Sequence, residues 1–293
     1  MEKVLVLVSG GLDSRIACNL LQSQLKVEAV HFILPFSGGC CSDKFCVFKF
    51  CQINGIKLHI FDCTSGSLFN EYLEIIRNPK SQRGAGLNPC RACHAFMLKK
   101  AKELSDKLKI KIIATGEVLG ERPLSQTKKA LAIIDKDIGF EVLRPLSAKL
   151  LQETSYEKEN LVDREKLLDI KGRRRVKQFE MADKYKINVP PIGGGCLLCD
   201  KKYCEKLKPI LCNPELSYHD IELLSIGRHF PGIILGKNEK ENLILEKEAG
   251  IKIIPVQPGA TALIKDKSLI EEAKELIRKY SKNKINSFEI HNS

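Results

Sequence analysis

The stretch that most limits what this chain can fold into is Val4-Leu-Val-Leu-Val-Ser-Gly-Gly-Leu-Asp-Ser-Arg-Ile-Ala17. An unbroken apolar run, too short to span a bilayer, stops at Ser9-Gly10-Gly11, and a helix-compatible pattern from Leu12 to Leu21 starts at once. That order predicts a buried parallel strand, a tight turn and a helix. Gly10 and Gly11 let the main chain turn sharply and come close to a ligand, because no Cβ intervenes. The free N–H groups that open a helix then face that ligand along the positive end of the dipole. Asp13 and Ser14 add an acceptor and a hydroxyl in the first turn. The expected occupant is phosphate. Neither G-x-x-x-x-G-K-[ST] nor G-x-G-x-x-G spacing is present, which excludes a Walker loop and a Rossmann fingerprint here.

Ser9-Gly-Gly-Leu-Asp-Ser14 instead resembles the pyrophosphate loop of the PP-loop, or N-type, ATP pyrophosphatases, which adenylate a carbonyl oxygen and release pyrophosphate. The resemblance implies an adenine nucleotide alpha hydrolase-like α/β fold, a doubly wound parallel sheet. It also implies that Ser9, Gly10, Gly11, Asp13 and Ser14 hold the phosphates of ATP, with Mg²⁺ neutralising charge. A second buried strand is expected from Val27 to Leu34. In such a sheet the ligand lies beyond the carboxyl ends of the strands. His31 and Phe32 therefore sit where an adenine could lie, or are core residues of that strand.

A helix at Phe45–Gln52, a strand at Lys57–Asp62 and a helix at Leu68–Arg77 continue the alternation. Cys40, Cys41, Cys46 and Cys51 have no familiar ligand spacing and are expected to be structural. A Gly/Pro-rich basic segment from Asn78 ends in Cys90-x-x-Cys93, ahead of a long helix at Ala95–Leu108. Cysteines at a helix start have lowered pKa values, since the dipole and Arg91 favour thiolate. Two thiolates at this spacing can hold a metal or cluster, or cycle through a disulfide. A strand at Lys111–Thr115 follows, with Gly116 to Gln126 at its carboxyl end. Thr115-Gly-Glu-Val-Leu-Gly-Glu-Arg-Pro-Leu-Ser-Gln126 is similar to the second ATP-site motif of the tRNA 4-thiouridine synthetases, which implies Gly116, Ser125 and Gln126 as ATP contacts. Asn88-Pro-Cys-Arg-Ala-Cys-His94 is similar to the catalytic cysteine region of the tRNA 2-thiouridylases, which implies Cys93 as the cysteine of sulfur transfer. Ala130–Asp135 reads as a strand or a helix start, Val142–Ser147 as a further strand, and Glu153–Ile170 as a charged helix.

Lys171-Gly-Arg-Arg-Arg-Val-Lys177 is the strongest basic cluster, so Arg173, Arg174 and Arg175 are candidates for phosphate contact with RNA or for a solvated helix face. The whole chain carries 48 Lys and Arg against 36 Asp and Glu, a net charge of +12 that suggests a polyanionic partner. Pro190-Pro-Ile-Gly-Gly-Gly-Cys-Leu-Leu-Cys199 looks like the segment that follows the PP-loop domain in tRNA-thiouridylase-like proteins, in which only the first cysteine is characteristic. That resemblance selects Cys196 and leaves Cys199 and Cys204 as bystanders. A zinc site built from both C-x-x-C pairs is the alternative, with the pairs unusually far apart. The remainder, from Asn213, reads as an α+β module with an amphipathic helix at Ser268–Ser281 and frayed final residues. It resembles the RNA-binding region of NFACT proteins, which implies contacts from Arg228 and Lys237, and also His229 and Asn238, on its loops.

Three domains are expected: 1–185 for ATP, a cysteine-containing linker at 186–212 that completes the site, and a smaller α+β RNA-binding domain at 213–293. Together the resemblances imply an ATP-dependent tRNA sulfurtransferase making thiouridine, with tRNA and a sulfur donor as partners. For the cysteines, either Cys93 carries a persulfide that Cys196 resolves, or Cys90, Cys93 and Cys196 hold a 4Fe–4S cluster with one iron open for hydrosulfide; the cluster is the expected answer. The rival readings are a PP-loop ligase or amidotransferase for a small molecule, and a non-catalytic RNA-binding protein. No apolar stretch reaches the roughly 20 residues of a membrane span and no signal-peptide pattern opens the chain, so a cytoplasmic protein without a membrane partner is expected. Assembly as a homodimer is compatible with the sequence.

Overall fold

The computed structural model describes residues 1–38, 44–78, 86–190 and 195–292. It divides into two compact units, Met1–Cys204 and Glu205–Ser293. The expected loop cysteines Cys40 and Cys41 and the glycines at 193 and 194 lie outside the described residues.

In the first unit the chain runs β1 (Lys3–Leu7), α1 (Leu12–Gln22), β2 (Lys26–Ile33), β3 (Ser37–Gly38), α2 (Lys44–Ile53), β4 (Lys57–Asp62), α3 (Gly66–Arg77), α4 (Cys90–Lys107) and β5 (Ile112–Thr115). Then come α5 (Lys128–Ile138), α6 (Ser155–Lys158), α7 (Val176–Lys184), β6 (Gly195–Cys196) and α8 (Lys201–Leu211), the last crossing into the second unit. Strands β4, β2, β1 and β5 form one sheet in that order, every pair parallel. Alternation along β1 and β5 separates two apolar faces. Val4, Val6, Ile112 and Ala114 pack with Leu12, Ile16, Val47 and Ala182 of α1, α2 and α7, whereas Ile113 packs with Leu98 and Ile134 of α4 and α5. Helices thus cover both sides, as buried parallel strands require. The strand order reverses between β1 and β5, which puts a crevice at their carboxyl ends.

Three expectations for this unit fail. Val142–Ser147 adds no strand: beyond a bridge at Leu143, whose N–H meets Ile113 O at 2.9 Å, Pro145 has no N–H to continue a ladder. The sheet therefore has four strands where five were expected. Glu153–Ile170 is mostly irregular, because Glu157 turns inward to cap Thr154 and pair with Arg164 instead of lying on a solvated helix face. The helix α4 also begins at Cys90, not at Ala95, so both cysteines lie in its first turns.

The second unit comprises α9 (Tyr218–Leu223), β7 (Arg228–Phe230), β8 (Ile233–Leu235), α10 (Glu239–Leu245), β9 (Ile251–Pro255), β10 (Ala262–Ile264), α11 (Ile270–Tyr280) and β11 (Phe288–Asn292). Its sheet, ordered β11-β9-β10-β8-β7, is antiparallel throughout, and Ala273 and Ile277 of α11 cover its apolar face. The final residues are not frayed as expected, since β11 pairs with β9 from Phe288–Pro255 to Asn292–Ile251. No helix among the described residues is long and apolar enough to cross a membrane.

Candidate active site at the carboxyl edge of the parallel sheet

The turn after β1 has the geometry its composition demands. Gly10 has φ +88°, a conformation costly for any residue with a Cβ, and its carbonyl accepts from Arg15 Nε at 2.9 Å. Ser9 Oγ accepts from Gly11 N–H at 3.3 Å, and Ser14 Oγ donates to Gly11 O at 2.8 Å, so both hydroxyls brace the turn. Gly116, at the end of β5, lies against the opening of α1. A Cβ there would come within 2.5 Å of Ser14 Cα and 2.6 Å of Ser14 N.

Asp13 is largely buried, not exposed as a residue in an open turn would be. Its Oδ1 has no hydrogen-bond partner. Burial pushes its carboxyl up to about 6, aided by repulsion from Glu121 and opposed by Arg175. Arg175 stands 2.6 Å from Glu121 and 3.8 Å from Asp13. It is thus a partner of the phosphate turn as well as a member of the basic segment expected to contact RNA. The cause is local: Gly172 N–H bonds to Leu119 O at 2.7 Å, stitching the basic segment to the loop after β5. Arg173 and Arg174 stay exposed, while Lys177 pairs with Asp169 at 2.6 Å.

His31 and Phe32 point to opposite faces of β2. Because a carbonyl only accepts, the 2.7 Å contact with Val8 O puts the proton of His31 on Nδ1. That leaves Nε2 a buried acceptor without a partner, and burial lowers the ring's pKa. Phe32 is instead a core residue, stacked on Phe61 with centroids 5.0 Å apart. Ser125 is buried, and Gln126 folds onto its own loop, its Oε1 accepting from Arg122 N–H at 3.1 Å.

The second cysteine segment folds back over the same edge. Ser37 pairs with Cys196 and Gly38 with Gly195, and Leu197 N–H reaches Phe36 O at 3.0 Å. Asn88 N–H bonds to Leu198 O at 3.1 Å, which ties the segment to the start of α4. Cys90, Cys93, Cys196 and Cys199 gather there. Cys199, expected to be a bystander, is coupled electrostatically to both Cys196 and Cys90. The coupling lowers its thiol to about 3 and raises those of Cys90 and Cys196. Burial pushes Cys93 up to about 11, with Tyr72 Oη 3.3 Å from its sulfur. The lowering expected for Cys90 and Cys93 at a helix start is therefore reversed, because burial and neighbouring thiols outweigh the dipole. Cys204 is buried and bonded to main-chain Leu87 and Leu198.

Between the two groups runs a network that the sequence reading did not select. Glu117 accepts from His94 Nδ1 at 2.9 Å and from Arg144 Nε at 2.9 Å, and Arg144 also holds Asp135 at 2.6 Å. Burial opposes its charge, yet the His94 and Arg144 interactions win and hold the carboxyl at about 2. Its signal was available as a carboxylate directly past the end of a buried strand. On the same loop Glu121 pairs with Arg175, and the positive charge of Arg122 favours the Cys199 thiolate.

The residues fit the implied groups. Asp13 and Glu121, two carboxylates with one buried unpartnered oxygen between them and an incomplete counter-charge, suit a hard cation such as Mg²⁺. The cysteines of the two segments are soft donors of the type that suits iron–sulfur or zinc. Among the described residues no three His, Cys, Asp or Glu side chains converge as they would on one metal ion. A multi-iron cluster instead distributes its thiolates over several irons.

Residues 1–167 match the family described as Thiamine biosynthesis protein (ThiI). The chain belongs to that family. No curated protein matches it. Among solved structures it is similar to a U34-tRNA thiolase, NcsA from Methanococcus maripaludis with its [4Fe-4S] cluster, at 20% identity and a TM-score of 0.39, covering 76% of this chain and 73% of that one. A predicted subunit of tRNA methyltransferase from Methanocaldococcus jannaschii is similar at 17% identity and a TM-score of 0.35, covering 55% and 74%. The ThiI match ends within the first unit, so it does not reach Cys196, Cys199 or the antiparallel sheet.

In the second unit Arg228 lies on β7, not on a loop, with its guanidinium 4.9 Å from the Tyr280 ring centroid. His229, also on β7, is tied to Ile226 O at 2.9 Å, Asn238 caps α10, and Lys237 is exposed. The charge is uneven: Met1–Cys204 has 34 Lys and Arg against 23 Asp and Glu, and Glu205–Ser293 has 14 against 13. Excess positive charge thus belongs to the first unit.

Proposed function

We propose that this chain is an ATP-dependent tRNA sulfurtransferase that replaces a uridine carbonyl oxygen with sulfur. The observation that carries the reading is the meeting of a phosphate turn and a cysteine set at one sheet edge, joined by the Gly116–Arg122 loop. The N–H groups of Gly10, Gly11 and the first turn of α1, with Ser9 and Ser14, hold the phosphates. Asp13 and Glu121 would hold Mg²⁺. His31 Nε2 offers its lone pair to an adenine amino group. Gly116, by lacking a side chain, lets the turn close.

A uridine carbonyl oxygen attacks the α-phosphorus, the bond to the β-phosphate breaks and pyrophosphate leaves. A sulfur nucleophile then attacks the activated carbon, and AMP departs with the original oxygen. Cys90, Cys93 and Cys196 would hold a 4Fe–4S cluster, which when bound supplies an iron that presents hydrosulfide. Exposed Arg173 and Arg174 supply phosphate contacts to tRNA, with Arg228 and Lys237 as secondary contacts.

The test has two parts. Thiolated nucleosides should vanish from the tRNA of a deletion strain and return with the wild-type chain. Asp13→Ala should fold, since it removes a disfavoured buried carboxyl, yet fail to release pyrophosphate with tRNA present. Pyrophosphate release that ignores tRNA would transfer the chain to the small-molecule ligases. Unchanged release by Asp13→Ala would remove the phosphate-turn assignment.

A further inference from the structure

We propose that Gln178 is a third oxygen donor to the Mg²⁺ site of Asp13 and Glu121, set by α7 against the phosphate turn. The inference rests on the ATP half of the function above and deepens it.

The pattern of α7 marks this residue. Gln178 and Ala182, four residues apart, are the buried positions of the helix, while Val176 and Phe179 are exposed. Ala182 packs in the core that α1 helps to form, as a buried helix stripe should. Gln178 puts a primary amide where that stripe calls for an apolar side chain. It is fully buried, and neither its Oε1 nor its Nε2 has a hydrogen-bond partner among the described residues. Leaving both atoms of a buried amide unpaired is destabilising, and a ligand that pairs them would offset that cost.

The place of Gln178 in the fold says which ligand. Arg175, at the N-cap of α7, reaches Glu121 at 2.6 Å and Asp13 Oδ2 at 3.8 Å. Three residues on, Gln178 lies on the same side of the helix. Asp13 Oδ1, the oxygen other than the one Arg175 approaches, is likewise buried and unpartnered. The Gln178 amide is also close enough to favour the Asp13 carboxylate. Carboxylate and amide oxygens are hard donors of the kind that suit Mg²⁺ or Mn²⁺. Among the described residues no third His, Cys, Asp or Glu completes the set that Asp13 and Glu121 begin. A third carboxylate would be disfavoured, because Asp13 and Glu121 already repel each other. A neutral amide adds an oxygen without adding to that repulsion, and its N–H groups then donate to the phosphates held by the same cation.

The test uses the full chain as wild type, Gln178→Met, Gln178→Glu and Asp13→Ala. Binding of Mn²⁺ alone is followed by loss of the free-ion electron paramagnetic resonance signal. Thermal unfolding is recorded without ligand and with Mn²⁺ plus the α,β-methylene analogue of ATP, which cannot release pyrophosphate. Gln178→Met keeps the length of the side chain without its amide, so without ligand it should melt no lower than wild type. Its Mn²⁺ affinity should nevertheless fall roughly tenfold, the scale of loss when a metal site loses a supporting group. Mn²⁺ and the analogue should also raise its Tm less. Gln178→Glu should melt lower than wild type without ligand and bind Mn²⁺ more tightly, since its added charge is repelled until a cation joins. A glutamine that only fills the core would not separate the empty chain from the loaded one in this way.

Equal Mn²⁺ affinities in wild type and both Gln178 variants, with Asp13→Ala losing Mn²⁺, would overturn the inference, assign the amide to a buried water and leave the cation site standing. A Gln178→Met chain that melts lower than wild type and keeps its Mn²⁺ affinity would also overturn it. Mn²⁺ binding absent from wild type, or undiminished in Asp13→Ala, would overturn it together with the Mg²⁺ site, while thiolated nucleosides still report separately on the sulfurtransferase reading.

Discussion

Glu117→Gln is the substitution for which the structure gives a size as well as a direction. The carboxylate is buried between His94, Thr115 and Arg144, and it is held at about 2 against an ordinary 4.5. A depression of about 2.5 pH units, at roughly 1.36 kcal/mol each, corresponds to about 3 kcal/mol of native-state stabilisation. Loss of one partner from a buried ion pair costs about 3–5 kcal/mol by independent measure, so the two figures agree. For a unit near 200 residues this lowers Tm by roughly 6–12 °C. The sign with pH follows from the depressed pKa. Glu117's contribution is fully present above about 4.5 and is lost as pH falls through about 2. The gap between wild type and Glu117→Gln in thermal and urea unfolding should therefore stay constant from pH 8 to about 5 and shrink below that. Thiolation should fall as well, because His94 loses the acceptor that fixes its ring beside Cys93. A gap under about 1 kcal/mol at pH 7, or one that widens on acidification, would refute the ion-pair account.

Gly116→Ala should cost about 3 kcal/mol, at the upper end of overpacking penalties, because its Cβ meets main-chain atoms of Ser14 that cannot swing aside. Gly11→Ala, whose Cβ would meet only Ser9 Oγ at 3.4 Å, should unfold within about 1 kcal/mol of wild type; similar unfolding midpoints for the two would refute the close-approach argument. Charge reversal at Arg173 and Arg174 together should weaken tRNA binding and reduce its salt slope by roughly 2, whereas Arg175→Ala should spare the slope and impair pyrophosphate release. Equal slopes in the wild type and the double variant would show that the two arginines are merely solvated.

The first half of the sheet was legible because its signals are local. Apolar runs at Val4–Val8 and Val27–Leu34 can be buried only in a covered parallel sheet, and each is bounded by glycine or proline. Legibility fails where tertiary pairing decides. Val142–Ser147 has strand-like composition, but Pro145 limits it to one bridge. Phe288–Asn292 is polar enough to suggest fraying, yet β9 offers it an unpaired edge and the ladder supplies what the composition lacks. Glu157 shows the same effect on a helix pattern, since its buried pairing with Arg164 overrides the propensity of a charged stretch.

At the site, sequence indicates which residue types are present but not which groups compete for the same proton or partner. Asp13 was recognisable from its motif, but its carboxyl is raised because Glu121, over a hundred positions later, approaches it. Arg175 was recognisable as basic, but its neighbour decides whether it meets RNA or a carboxylate: Gly172, bonded to Leu119, turns it inward while Arg173 and Arg174 face out. The cysteines make the argument most sharply. Spacing alone makes Cys196 and Cys199 equivalent members of a C-x-x-C pair, and resemblance ranked the first above the second. In the fold the β3–β6 pairing fixes Cys196 by its main chain, while the turn that carries Cys199 is held by the Leu198 carbonyl, which accepts from Asn88 N–H. Which cysteines of the two segments come near this edge therefore depends on how residues 195–199 return to the sheet, and that return is decided by tertiary pairing and not by the spacing of the motif.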